Sequence, residues 1–379
     1  MSTKAVADQG GLTIEAVELR RVRLPLVAPF RTSFGTQIER DVLLVRVITS
    51  AGEGWGECVA LRDPLYSSEY VDGAEHVIRH HLLPRLFRAG VMRAEAVAEA
   101  LEEVIGHRMA KASLEMAILD AQLRVEERSF GDYLGAVHDR IDCGVSVGIQ
   151  ESLPRLIDTV SAYLESGYRR VKMKIEPGWD IEPVRAVRAQ FGTDLLLQVD
   201  ANSAYSPADG EHLKLLDQFG LLLIEQPFPE EEILAHARLA ALIETPVCLD
   251  ESIVSAQTAL DAIELGAAEI INIKPGRVGG YLEARRIHDL CHERGIPVWC
   301  GGMLETGLGR AANIALAALP GFTLPGDVSA SSRYFHEDIT PPFEMEDGRL
   351  RVPAGAGLGV QILPDVLERV TVTVQLERP

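Results

Sequence analysis

VKMKI, residues 171–175, decides the fold, because it sets Lys172 and Lys174 one residue apart inside a segment with the composition of a buried strand. Burial costs a lysine ammonium its hydration unless a partner or a pKa shift compensates. Side chains of a strand alternate between its two faces, so both lysines point one way and Met173 points the other. The stretch predicts either an edge strand with solvated lysines or a strand whose lysines face a built site.

Segments of the same kind recur at intervals of roughly 25 residues, a length that fits one strand, one helix and two short loops. Each is followed by a helical pattern. Eight such units predict a closed parallel (β/α)8-type barrel, whereas an open doubly wound sheet would call for a Gly-rich first turn. The predicted strands are VSVGI (145–149), VKMKI (171–175), LLLQVD (195–200), LLLIE (221–225), PVCLD (246–250), EIINIK (269–274), PVWCGG (297–302) and FTLPGD (322–327).

The segments outside this repeat have other patterns. Residues 12–61 alternate apolar and polar positions, as an antiparallel meander does, and residues 67–127 have a helical period. The tail from about residue 334 returns to short strands. The sequence thus predicts an α+β region before the barrel and a short β-containing segment after it.

Composition narrows the class of function. The 379 residues are 47% hydrophobic and carry a net charge of −19, which disfavours nucleic acid and anionic membranes and favours a small-molecule substrate. The start, MSTKAVADQGG, has no apolar signal core, so a cytoplasmic location is expected. Five scattered cysteines without a C-x-x-C pair indicate neither a disulfide framework nor a zinc site.

Ionic residues end four consecutive predicted strands: Asp200, Glu225, Asp250 and Lys274. One such residue could be a helix cap or a rim salt bridge, but four in register indicate the carboxyl-terminal rim where barrel enzymes keep their chemistry. Three neighbouring carboxylates repel one another, and a cation relieves that repulsion. Oxygen ligands without His or Cys favour a hard ion, so Mg²⁺ is predicted, with Mn²⁺ or another divalent cation as the alternative.

Polar neighbours surround these predicted ligands. Asn202 and Gln226 lie just past the first two carboxylates and are predicted to hydrogen-bond to the ligand residues. Glu251 competes with Asp250, but strand alternation lets one of the two point inward, and Asp250 has the position that matches Glu225.

A closed barrel has no edge strands, so Lys172 and Lys174 are predicted to point into its mouth. Lys274, on the sixth strand, lies across the carboxylates from them. Two such lysines form an acid–base pair for taking a proton from a carbon next to a carboxylate. A neighbouring cation lowers a lysine pKa, and we expect Lys172 and the metal to do this for Lys174 and Arg277 to do it for Lys274.

The K-x-K, D-x-N, E-Q-P, D-E-S and lysine-strand pattern resembles the enolase superfamily, and most closely the N-succinylamino acid racemase/o-succinylbenzoate synthase family of its muconate lactonizing enzyme subgroup. The similarity runs from about Val17 to Gly359. It is carried by GVSVGI, RRVKMKIEPGWD, LLQVDANSAY, LLLIEQP, CLDES, NIKPGRVGG, WCGGMLETGLGRAAN and LPGDVSAS. The resemblance implies an enolase-like modified TIM barrel with a capping domain at residues 1–135, a catalytic barrel at 136–333 and a segment at 334–379 that completes the cap.

The resemblance also implies roles for individual residues. Lys174 and Lys274 would be the acid–base catalysts, assisted by Lys172, and Asp200, Glu225 and Asp250 would bind the metal. In the racemase reaction one lysine removes the α-proton of an N-acyl amino acid and the other returns it on the opposite face. In the synthase reaction, a dehydration on the way to menaquinone, Lys174 acts alone and Lys274 stays cationic. The residues implied to shape the substrate pockets are Ser146, Phe30, Phe34, Gly302, Met303 and Leu304, together with the loop at residues 60–66.

Departures from the motifs of related families narrow the class of substrate. The seventh predicted strand carries Trp299 and Cys300 where mandelate racemase-like members place a His, and Asp327-Val328-Ser329 replaces the Asp-x-Asp of dipeptide epimerases. An N-acylated carboxylate substrate is therefore expected. The resemblance also implies a homo-oligomer of two to eight subunits. The alternatives are o-succinylbenzoate synthase activity as the sole role and a non-catalytic scaffold, which should have lost a ligand or a lysine.

Overall fold

The computed structural model describes residues 11–379, and its N-terminal part is an antiparallel sheet covered by helices. A π-helix, Ile78–Leu82, joins the first two α-helices. The elements are β1 (Leu12–Thr32), β2 (Gly35–Thr49), β3 (Gly52–Cys58), α1 (Val71–Val77), α2 (Leu83–Ala89), β4 (Val91–Met92), α3 (Ala94–Ala100), α4 (Arg108–Val125) and α5 (Phe130–Leu134).

The long helix α4 packs directly on β3, and two glycines of AGEGWGE make this possible. A Cβ atom at Gly54 would overlap the backbone of Ala117 and Ala121, and one at Gly56 would overlap the carbonyl of Ser113. The absence of side chains at these two positions lets helix and strand approach closely. The predicted α+β region is confirmed.

The middle of the chain forms seven parallel strands in the order β6 to β12, with each strand paired to the next one along the chain. Helices connect them as the repeat predicts. The elements are β5 (Arg140–Asp142), β6 (Gly144–Val147), α6 (Leu153–Glu165), β7 (Arg170–Lys174), α7 (Ile181–Phe191), β8 (Leu196–Asp200), α8 (Gly210–Leu213), β9 (Ile224–Glu225), α9 (Ile233–Ala240), β10 (Val247–Leu249), α10 (Ala256–Glu264), β11 (Ile270–Ile273), α11 (Pro275–Val278), α12 (Tyr281–Glu293), β12 (Val298–Cys300) and α13 (Gly307–Ala317).

The eighth predicted strand, FTLPGD, differs from the expectation because it is not a regular strand. Its residues form single bridges, Phe322 to Val298 of β12 and Gly326 to Cys143 just before β6. Pro325 has no N–H to donate, so a continuous ladder cannot run through this segment. The segment nevertheless bridges to both edges of the seven-stranded sheet, at β12 and just before β6. The architecture is therefore the barrel type predicted.

The C-terminal part consists of β13 (Arg349–Arg351), which pairs with β5, then α14 (Pro364–Val370) and β14 (Thr371–Glu377). β14 runs antiparallel to β1, with Val17 opposite Glu377 and Val22 opposite Thr371, and completes the sheet order β14-β1-β2-β3. The tail thus packs back on the N-terminal sheet, as expected. The domain boundaries at residues 135 and 333 stay predictions.

Two further sequence features can be compared with the structure. All five cysteines are free and buried. Within residues 11–379, no helix combines the length and the apolar composition that a membrane crossing requires.

Candidate active site

The lysines of β7 lie inside the barrel. Lys172 is 2% exposed and Lys174 is 7% exposed, and Met173 between them is buried on the opposite face of the strand. In the parallel ladder Lys172 lies opposite Gln198 and Lys174 lies opposite Asp200. The strand therefore has buried lysines on its inner face, and the edge-strand alternative is wrong.

The three predicted ligands occupy neighbouring positions at the carboxyl ends of β8, β9 and β10. Asp200 ends β8 opposite Glu225, which ends β9, and Asp250 follows the last residue of β10. Each is at most 1% exposed. Lys274 directly follows β11, so three carboxylate-bearing strands separate it from the lysines of β7.

Each lysine ammonium contacts carboxylate oxygens. Lys172 Nζ lies 3.1 Å from Asp200, 3.0 Å from Glu225 and 2.6 Å from Asp327. Lys174 Nζ donates to Asp200 Oδ2 at 2.6 Å and to Asn202 Oδ1 at 2.6 Å. Because these charges are almost fully removed from water, each depends on its partners for stabilisation.

Lys274 has a different set of neighbours. Its Nζ lies 2.8 Å from Asp250 Oδ2 and 3.0 Å from the hydroxyl of Tyr66. Arg277 forms an ion pair with the same Asp250 and donates to the Tyr66 hydroxyl at 3.0 Å. The predicted second lysine and its predicted arginine neighbour are therefore brought together around Asp250.

Burial and neighbouring charges shift the lysine pKa values in different directions. Burial lowers the pKa of Lys174, and its attraction to Asp200 does not fully offset this. Burial also acts to lower the pKa of Lys172, but Asp327, Glu225 and Asp200 outweigh it and raise that pKa. The pKa of Lys274 is likewise raised, because Tyr66 and the carboxylates of Glu251 and Glu225 outweigh burial. The expected lowering of the Lys274 pKa is not observed.

The donor set fits a hard divalent cation chemically, since three buried carboxylates supply only oxygen ligands. Two further oxygens in this region, Asn272 Oδ1 and Glu251 Oε2, are buried without a hydrogen-bond partner. Among the described residues, no three His, Cys, Asp or Glu side chains are arranged as a ready cation site. Lysine ammonium groups contact the three carboxylates instead and balance their charge.

The residues predicted beside the ligands hold the loops of the site. Gln226 Oε1 accepts hydrogen bonds from the backbone N–H groups of Asp250 at 3.0 Å and Ser252 at 3.2 Å. Asn202 Nδ2 donates to Glu251 Oε1 at 2.9 Å. Glu251 does not turn away from the site, because alternation ends with β10 at Leu249 and both acidic residues lie in the turn that follows. Burial raises the pKa of Glu251 to about 7.

Backbone strain is concentrated around these loops. Among the described residues, seven non-glycine residues have positive φ, and four of them lie at the site: Asn202 (42°), Ser203 (63°), Gln226 (37°) and Leu304 (58°). Such conformations persist where the surroundings enforce them, commonly at functional sites.

A cavity of about 50 Å³ lies above the lysines. All six residues predicted to shape the substrate pockets line it: Phe30, Phe34, Ser146, Gly302, Met303 and Leu304. The Ser146 hydroxyl is buried and has no hydrogen-bond partner, so it is available to a polar group of a ligand. Phe30 and Phe34 come from β1 and the β1–β2 turn, so the N-terminal sheet supplies one wall of the cavity.

Several site residues were missing from the sequence prediction. Arg170 donates to Asp327 Oδ1 at 2.7 Å, and Asn272 donates to Glu225 Oε1 at 2.7 Å. Both stand two residues before a predicted lysine, so the alternation that selected Lys172 and Lys274 also selects them. Tyr66 ends the loop at residues 60–66 that the resemblance implies for the pocket, but no period in this loop indicates its contact with Lys274.

Comparison with known proteins places this geometry in a family. Residues 14–135 match the model of the mandelate racemase/muconate lactonizing enzyme N-terminal domain, and residues 155–366 match that of the enolase C-terminal domain-like family. An N-succinylamino acid racemase of Amycolatopsis is 64% identical over 95% of this chain and 98% of the relative. An o-succinylbenzoate synthase of Geobacillus kaustophilus is 46% identical over 95% and 96%. The solved structure of an enolase superfamily member from Listeria innocua superposes with a TM-score of 0.93 at 41% identity, over 97% of this chain and 99% of that one.

Proposed function

The chain belongs to the N-succinylamino acid racemase/o-succinylbenzoate synthase family of the enolase superfamily, and from that membership we propose that it racemises N-succinyl or other N-acyl amino acids. We propose o-succinylbenzoate synthase activity in the same site. Enzymes of this family act on small carboxylate substrates and are typically dependent on a divalent metal.

The observation that carries the proposal is the pair of buried lysines, Lys174 and Lys274, separated by the three carboxylate-bearing strands. Racemisation requires a base on one face of the α-carbon and an acid on the other. In one direction Lys174, as the neutral amine, takes the α-proton and the Lys274 ammonium donates a proton to the opposite face. In the other direction the two lysines exchange roles.

Asp200, Glu225 and Asp250 are the residues proposed to hold Mg²⁺ or Mn²⁺. The bound cation would supply positive charge that stabilises the enediolate formed when the α-proton leaves. Lys172, which contacts both Asp200 and Glu225, is proposed to assist through its charge.

The pocket residues support an N-acylated substrate. Ser146, whose hydroxyl lacks a partner, is proposed to donate to the acyl part of the substrate. Phe30 and Phe34 offer apolar contact, while Gly302 to Leu304 form the opposite rim. Asp327 is already engaged by Lys172 and Arg170, which leaves it poorly placed to bind a free amino group.

The proposal is tested by α-proton exchange in deuterium oxide with each enantiomer of an N-succinyl amino acid and added Mg²⁺. We expect Lys174→Ala and Lys274→Ala each to abolish exchange from one enantiomer, and a different one in each variant. The exposed Lys214→Ala is the matched control and should retain both exchanges. Absence of exchange from both enantiomers in the wild type would refute racemisation.

Synthase activity as the sole role is the second candidate, and the ion pair of Lys274 with Asp250 favours it, because in that reaction Lys274 stays cationic. Turnover of the synthase substrate without α-proton exchange of either N-succinyl enantiomer would identify the synthase reaction as the sole activity. A non-catalytic scaffold is disfavoured, since all the predicted lysines and carboxylates are retained and buried.

The cytoplasmic location and the homo-oligomer of two to eight subunits stay predictions, and light scattering coupled to size exclusion tests the oligomer.

A further inference from the structure

The two proposed catalytic lysines differ in where their partners come from. Lys174 is hydrogen-bonded by Asp200 and Asn202, both at the end of β8. Lys274 is hydrogen-bonded by Asp250 of the barrel and also by Tyr66, which lies in the loop between β3 and α1. One lysine is therefore held by the barrel alone, and the other is held partly by the N-terminal region.

The Tyr66 hydroxyl is fixed from three directions. It accepts hydrogen bonds from Lys274 Nζ at 3.0 Å and Arg277 Nη1 at 3.0 Å, and it lies 3.4 Å from Asp250 Oδ1, to which it donates. A phenolic oxygen accepts two hydrogen bonds and donates one, so its capacity is fully used. The Lys274 ammonium also lies 4.7 Å from the centroid of the Tyr66 ring, within the range of a cation–π contact.

The ring of Tyr66 forms part of the cavity wall. It contacts Phe34 of the β1–β2 turn, with 5.9 Å between ring centroids, and both residues line the cavity. Ligand pockets usually have volumes of about 300 Å³ or more, and the cavity here is about 50 Å³. The cavity is therefore small for a ligand pocket, and Tyr66 is one of the residues that confine it beside Lys274.

We propose that Tyr66 is a positioning residue that holds the Lys274 ammonium, so that proton transfer at one face of the substrate depends on the β3–α1 loop and transfer at the other face does not. This inference rests on the proposed racemase function and deepens it. It assigns the loop a role in the proton transfers between Lys274 and the substrate, and none in those between Lys174 and the substrate.

The test is Tyr66→Phe, which removes the hydroxyl and keeps the ring. The enantiomer that depends on Lys274 as base is first identified as the one whose exchange Lys274→Ala abolishes. For that enantiomer we expect kcat for α-proton exchange to fall about tenfold, in line with the loss of a hydrogen bond to a charged group, while the other enantiomer changes less than about threefold. Tyr70→Phe, at an exposed tyrosine of the same loop, is the matched control and should change neither rate.

Two results would overturn the inference: an equal fall in kcat for both enantiomers, or a raised KM for both with kcat unchanged, which would make Tyr66 a substrate-binding residue. A second measurement does not depend on turnover. In protein labelled with ¹³C at lysine Cε, Tyr66→Phe should shift the Lys274 signal and leave that of Lys174 in place, and an unshifted Lys274 signal contradicts the inference. Failure of the wild type to exchange either enantiomer refutes the proposed reaction, and the lysine signals then still decide the role of Tyr66.

Discussion

The Lys172 ammonium lies 2.6 Å from Asp327, closer than to either of the carboxylates at the ends of β8 and β9. Asp327 belongs to the irregular segment 322–327, which contacts both edges of the parallel sheet. The same carboxylate accepts from Arg170, whose guanidinium lies 5.2 Å from the ring centroid of Trp299. One carboxylate therefore forms ion pairs with two buried cations inside the barrel.

Asp327→Asn is expected to remove the carboxylate that pairs with Arg170 and one of the three carboxylates that Lys172 contacts. Breaking a buried ion pair by removing one partner costs about 3–5 kcal/mol, and we expect the free energy of unfolding to fall by an amount of that order. Denaturant unfolding measures the loss. Asp142→Asn, which breaks an exposed ion pair with Arg349, should cost less than about 1 kcal/mol, and an equal cost for the two variants would contradict the assignment.

Removal of a proposed metal ligand should weaken cation binding. Asp250→Asn is expected to reduce Mg²⁺ affinity at least about tenfold in calorimetric titration, because it removes one of three anionic ligands. The exposed Asp261→Asn should bind as the wild type does. Undiminished affinity in Asp250→Asn would exclude this residue as a ligand, and chelation of the metal should abolish α-proton exchange in the wild type.

Gly301 lies against the side chain of Lys274, and a substitution there tests how closely the two residues must pack. A Cβ atom added there would lie 2.7 Å from Lys274 Cγ and would also overlap the side chain of Asn272. Because small misplacements of catalytic groups are costly, Gly301→Ala is expected to lower kcat/KM roughly tenfold or more while the protein remains folded. Gly131→Ala, where the added atom makes ordinary contacts, should retain activity.

Stability should depend on pH through Glu115, which accepts a backbone hydrogen bond from Leu282 at the start of α12. Burial raises the pKa of Glu115 from 4.5 to about 8, so the folded state keeps a proton that the unfolded state releases. The free energy of unfolding should therefore fall as pH rises from about 4.5 to about 8, by at most about 1.4 kcal/mol per pH unit from this group, and then level off. Glu115→Gln should remove this slope, whereas the exposed Glu103→Gln should retain it.

The barrel, the lysines and the carboxylates could be predicted because a parallel strand of known period specifies both the face and the end on which each side chain lies. Arg170 and Asn272 follow from the same period. The irregular eighth segment was not predicted, since its apolar residues match a strand and only Pro325 argues against a continuous ladder. The contact of Tyr66 with Lys274 could not be predicted, because it depends on how a loop of the N-terminal region docks on the barrel.

The pairing of β14 with β1 joins residue 377 to residue 17 in one sheet. During synthesis β1 emerges long before β14, so this sheet cannot be completed until residue 377 has left the ribosome. Contacts of such long sequence separation form slowly. Because this region carries Phe30, Phe34 and Tyr66, nascent chains that stop short of the C-terminus should contain a folded barrel with an incomplete active site.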